Sequence, residues 1–132
     1  VGAGTANITA TQGGDAIYNA ATPVVRALTV NKADQTISFE SLVAKGITDP
    51  PFSLSASASS GLTVSYVSSN TSVATVSGNT VTMVGQGTTT ITASQSGNTN
   101  YNAATSVGQS LTVNDKQSQA ITFGSLAAKN LR

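Results

Sequence analysis

Histidine, cysteine and tryptophan are all missing from the 132 residues. Without histidine or cysteine there is no imidazole base, no thiolate nucleophile and no soft zinc ligand. Ser-His-Asp, Cys-His and zinc chemistry therefore fall away together. The lack of cysteine also rules out a disulfide scaffold. Charge is scarce too: charged residues are 8%, about a third of the usual share, and the formal net charge is +1. Disorder couples low hydrophobicity to high net charge; with 39% hydrophobic residues and near neutrality, this chain reads as folded. The six basic residues, Arg26, Lys32, Lys45, Lys116, Lys129 and Arg132, stand singly, and aromatics are only 5%. Nucleic acid would find neither a cationic stripe nor a stacking platform. No apolar run is long enough to span a bilayer, and no secretory leader is visible.

What the chain does have is internal similarity. Val1 to Asn31 returns as Val84 to Asn114, an offset of about 83 positions. Ile8-Thr9-Ala10, Tyr18-Asn19-Ala20-Ala21-Thr22 and Leu28-Thr29-Val30-Asn31 come back as Ile91-Thr92-Ala93, Tyr101-Asn102-Ala103-Ala104-Thr105 and Leu111-Thr112-Val113-Asn114. After a one-residue slip, Gln35 to Lys45 returns as Gln119 to Lys129, with Ile37, Phe39, Leu42 and Lys45 matching Ile121, Phe123, Leu126 and Lys129. A period of roughly 80 residues points to domains used for length or valency rather than chemistry. Residues 1–34 read as the closing part of a preceding repeat, 35–114 as a complete repeat, and 115–132 as the opening of a following one. Beginning at Val1 without Met and stopping inside a repeat, the chain reads as a piece of a longer polypeptide, so the missing leader carries no weight. Its flanks lack most of their core partners. They are expected to be ordered by strand pairing with other chains or within a longer parent.

Along the complete unit, alternation of polar and apolar residues predicts strands. Gln35 to Phe39 turns Ile37 and Phe39 inward, and Leu42 and Val43 continue a bent edge. Asp49-Pro50-Pro51 interrupts pairing, since proline has no amide donor. Phe52, Leu54, Ala56 and Ala58 share one face, with serines on the other. Leu62 to Tyr66 is the next strand, and Val73 to Val76 a short one after the Ser69-to-Ser72 loop. Gly78-Asn79 is a two-residue hairpin signature with Gly at positive φ. Thr89, Ile91 and Ala93 point inward along one long strand; Val107, Gln109, Leu111 and Val113 mark the last. Tyr101, with Tyr18 at the same place in the partial copy, is expected to cover one end of the domain with its hydroxyl bonded to loop backbone. About seven short strands, turn signals every 8–12 residues and no helical period predict an all-β, two-sheet antiparallel sandwich.

The run Ser68-Ser69-Asn70-Thr71-Ser72-Val73-Ala74-Thr75-Val76-Ser77-Gly78-Asn79-Thr80-Val81, followed by Gly85-Gln86-Gly87-Thr88-Thr89-Thr90-Ile91-Thr92-Ala93, resembles the bacterial immunoglobulin-like repeats of intimin and invasin stalks. The close Gly97 to Ala104 resembles a longer variant common in giant extracellular proteins. The resemblance implies an immunoglobulin-like Greek-key sandwich in a cell-surface or secreted stalk, with no catalysis and no fixed ligand. The chain departs from the shorter modules by a longer front half, Gly46 to Phe52, and a longer final loop.

A search for chemistry returns little. The acids Asp15, Asp34, Glu40, Asp49 and Asp115 are widely separated, and a glycosidase pair needs two carboxylates held about 5–10 Å apart. Folding can bring Glu40 and Asp49 together, but no cluster of polar or aromatic substrate contacts lies near either. Calcium needs six to eight oxygens, several of them carboxylates; Asp34 and Asp115 lie in corresponding linkers, each beside a lysine. Lys45 and Lys129 recur at one position. With Glu40 and Asn70 or Asn102 they formally suit an isopeptide bond, but Gly124 replaces Glu40 in the other copy, and they read as lysines at a sheet edge. Asn7-Ile8-Thr9 and Asn70-Thr71-Ser72 match the glycosylation pattern, as chance allows in so Asn- and Thr-rich a chain. Gly85 to Gly87 lacks the lysine and helix of a phosphate loop.

No catalytic, cofactor-binding or metal-binding residue is assigned, and the chain is read as non-enzymatic. The expected function is that of a structural spacer repeat in an extracellular or surface-attached bacterial adhesin-like protein. Its linkers, Lys32-Ala33-Asp34 and Asp115-Lys116-Gln117, set orientation. Its partners are adjacent repeats of the same or neighbouring chains, with a distal domain reaching a host or glycan surface. Two alternatives are a filament or sheath subunit assembled by intermolecular strand pairing, and a carbohydrate-binding accessory module of a secreted hydrolase.

Overall fold

The computed structural model describes residues 1–115 and 119–131. Among them are eleven strands and no helix. Strands β1 (Gly4–Ala10) and β2 (Val24–Val30) form a hairpin by themselves. The rest of the regular structure lies between Ile37 and Asn114. Strands β3 (Ile37–Ser38), β4 (Lys45–Gly46), β5 (Phe52–Ser53) and β6 (Ser57–Ala58) are two-residue pieces. They are followed by β7 (Ser65–Ser68), β8 (Ala74–Ser77), β9 (Thr80–Met83), β10 (Gly87–Ser94) and β11 (Val107–Asn114).

One sheet runs β4-β11-β10-β7, with β4 parallel to β11 and the other pairings antiparallel. Opposite it lie β5-β9-β8 and the pair β3-β6. Because β5 and β6 belong to one extended stretch, Phe52 to Ala58, the two small sheets form a single layer in effect. Leu54, Ala74, Val81 and Met83 from that layer and Ile91, Ala93, Leu111 and Val113 from the other make one buried cluster. The arrangement is consistent with a β-sandwich.

Period-two alternation holds where it was expected. Phe52, Leu54, Ala56 and Ala58 face in while the intervening serines are exposed, and Thr89, Ile91 and Ala93 are all buried. The first strand is shorter than its pattern: only Ile37 and Ser38 pair, and Phe39 is buried from an irregular stretch, its ring 5.8 Å from that of Tyr66. Leu42 packs against the core, but Val43 is exposed and the edge is made by Lys45 and Gly46 instead. The predicted strand from Leu62 begins only at Ser65, although Leu62 and Val64 already alternate inward. Ser77 pairs with Thr80 across Gly78-Asn79, and Gly78 alone has positive φ, +60°. That suits a turn with its glycine at the first central position.

The flanks behave differently from the unit they resemble. In β1–β2, Gly4 lies opposite Val30 and Ala10 opposite Val24, the register that joins Gly87 to Val113 and Ala93 to Val107. Ile8, Leu28 and Val30 remain 58%, 51% and 44% exposed, whereas Ile91, Leu111 and Val113 are 0%, 0% and 2% exposed. The same side chains find a covering layer in one copy and none in the other. Residues 119–131 copy the opening of the unit but form no strand, and Ile121, Phe123 and Leu126 are exposed. In the complete unit the matching segment is held by the β6 ladder, by the Tyr66 ring and by Gln109, whose amide donates to the Phe39 carbonyl.

Candidate functional site

A polar constellation between distant chain segments lies where the linker after β2 enters the sandwich. There the Gly97-to-Asn102 loop, connecting β10 to β11, receives Ala33 as a short parallel bridge to Tyr101. The Ala33 amide donates to the Asn100 carbonyl and the Asn102 amide to the Ala33 carbonyl, each at 2.8 Å. Asn102 Nδ2 donates to Asp34 Oδ1 at 2.8 Å. Gln35, 5% exposed, donates through Nε2 to the Asn102 carbonyl and accepts through Oε1 from Ser60. Its burial is thus matched by hydrogen bonds at both ends of the amide, as a buried polar side chain requires. On the other side, Asn100 Oδ1 accepts the Ala3 amide at 3.1 Å, just before β1.

The loop is built locally. Asn98 Oδ1 accepts the amides of Asn100 and Tyr101, and Gln95 Oε1 accepts that of Gly97. In the partial copy Asp15 accepts from Ile17 and Tyr18, and Gln12 from Gly14, in the same pattern. Gly97 and Gly14 share φ of +79°, and a Cβ at either would strike loop backbone, so glycine is required twice over. The backbone amides of Tyr18 and Ile17 hold the Asp15 carboxyl below its ordinary range, since amide donors bond its charged form more strongly than its neutral one. Asn98, its counterpart, does not titrate.

The remaining sequence candidates have separate engagements. The Asp49 carboxylate accepts the Gly46 amide and closes a turn, and Asp34 is bonded to Asn102. Lys45 sits on an edge strand as expected, yet its Nζ lies 4.8 Å above the Phe52 ring, a cation–π contact rather than an approach to Asn70 or Asn102. Asn70 instead caps its own turn through Ser72. Asn7 is exposed on β1. Among the described residues no group of three or more acids gathers to hold a metal. Lys116 and Gln117, two of the three residues of the second predicted linker, lie outside the described residues, as does Arg132. An open groove of about 750 Å³ runs beside Leu54, Ala58, Leu62, Val64 and Tyr66. Its lining carries no charged side chain.

Two roles differ from expectation. The hydroxyl bonded to backbone is that of Tyr66, which accepts the Ala56 amide at 2.8 Å. Tyr101 instead sits half-buried at the linker bridge, held through its backbone. Thr89 is more than an inward-facing β residue: 2% exposed, its hydroxyl meets Ser68 Oγ at 2.8 Å and accepts the Asn70 amide at 2.9 Å. The Ser68-Ser69-Asn70 run was the available signal, since Ser69 also exchanges bonds with Thr90. Those residues fasten the turn after β7 onto β10.

No protein family, no curated protein and no solved structure matches the chain.

Proposed function

We propose that the chain is a non-catalytic spacer: an immunoglobulin-like Greek-key repeat of a bacterial surface or secreted adhesin-like protein, working by length and orientation. The observation that carries this reading is the duplicated hairpin, β1–β2 and β10–β11, identical in register and offset by 83 residues. The Greek-key part rests on strand order. An opening segment pairs first with β6 and then, through β4, crosses to lie parallel with the last strand. Function by geometry also fits a surface without charged clusters. The array reading predicts that joining one, two and three copies of residues 35–114 lengthens the particle by a constant increment in small-angle scattering. Equal dimensions for two and three copies would reject it.

The open face of β1–β2, with Ile8, Leu28 and Val30 exposed beside two unpaired edges, favours a second reading: a filament subunit joined by strands from neighbouring chains. Association that grows with concentration supports it, and a strictly monomeric species across a dilution series rejects it.

A further inference from the structure

Beyond the spacer reading, and without depending on it, we infer that the Gly97-to-Asn102 loop is a two-part joint that fixes the β1–β2 hairpin in one orientation on the sandwich. The first part locks the linker. Ala33 is bridged on both backbone groups, Asp34 is bonded by the Asn102 amide, and Gln35 is buried against the Asn102 carbonyl. Immediately afterwards Thr36 exchanges bonds with Ser59, its amide donating to Ser59 Oγ and its carbonyl accepting the Ser59 amide. Four consecutive linker residues therefore have fixed partners, where a flexible linker would leave its backbone to water. Each residue so held has lost the torsional freedom that lets neighbouring domains swing.

The second part sets direction. Asn100 Oδ1 is bonded to the Ala3 amide, and a side chain at Gly2 would meet that oxygen at 2.5 Å. The base of the hairpin is thus seated on Asn100, while the loop's backbone and the Asn102 side chain hold the linker. The sequence copies divide along the same line. Gly14, Tyr18 and Asn19 repeat Gly97, Tyr101 and Asn102, but Ile17 stands where Asn100 does. On the loop side of the lock the Gly, Tyr and Asn recur in both copies and the seating residue does not, so the angle of the hairpin is set by one side chain that the copies do not share.

The absence of native cysteine permits a direct test. Nitroxide labels at Thr9→Cys on β1 and Thr82→Cys on β9, both exposed positions, report the hairpin-to-sandwich distance by pulsed electron resonance in the full chain. A second pair, Thr82→Cys with Thr112→Cys, reports the sandwich alone. The parent is expected to give one narrow distance. Asn100→Ala should shift it by a few ångström or broaden it about twofold, as alternative orientations become populated. Gln35→Ala should broaden it further, while the sandwich pair stays unchanged in both. A broad distribution in the parent overturns the joint. A narrow, unshifted one in Asn100→Ala overturns the seating role even if Gln35→Ala disturbs the core.

Discussion

Ile8 and Ile91 are the same residue in the same register, yet one is 58% exposed and the other fully buried. Truncating a buried isoleucine removes its transfer free energy and leaves a cavity, about 2–5 kcal/mol in all. A surface substitution stays within about 0.5 kcal/mol. Ile91→Ala should therefore shift the urea midpoint strongly and Ile8→Ala barely; equal shifts would mean that the hairpin face is covered in solution. Asp15 and Asn98 form a second matched pair. The folded-state pKa of Asp15 is depressed, so what its carboxylate contributes to its turn is present above the ordinary aspartate value and lost as pH falls through the folded one. Acidification through that depressed folded-state value should release the amides of Ile17 and Tyr18, while those of Asn100 and Tyr101 hold. Amide exchange followed by NMR checks this, and simultaneous release in both loops would contradict it.

Parallel pairing of β4 with β11 decides how the element ends carry load. Their ladder, Lys45 to Val113 and Gly46 to Asn114, lies close to both ends of the unit. Tension along the chain loads those hydrogen bonds side by side instead of peeling them one by one. The Ile47 amide, donating to the Asn114 carbonyl at 3.0 Å, extends the clamp. Ile47→Pro removes that donor and should lower the unfolding force, whereas Ile47→Val keeps it and should not; matching forces in the two variants would remove β4 from the clamp. This crossing was not legible in the sequence, because Lys45-Gly46 has no alternation to read. Long strands with a period-two pattern, β10 and β11, were legible nearly to the residue, since burial on one face is what that pattern encodes. The joint was only half legible. Lys32 to Asp34 reads as a linker and Gln35 as the polar start of a strand, and nothing local tells that Gln35 is buried by a loop more than 60 residues away.

At the scale of the whole molecule, we propose that residues 35–114 form a mechanically independent unit and that the hairpin before it belongs to another of the same kind. Among the described residues no second layer covers the apolar face of β1–β2, and the 119–131 segment forms no strand. An isolated two-stranded hairpin is marginal in water, so the complete unit supplies the resistance. Single-molecule extension of a chain carrying three successive copies of residues 35–114 is the most direct measurement. The account predicts three force peaks of similar height, each releasing on the order of 250 Å, the reach of roughly 80 extended residues less their folded length. Smooth extension without peaks, or one event releasing all three units together, would contradict it.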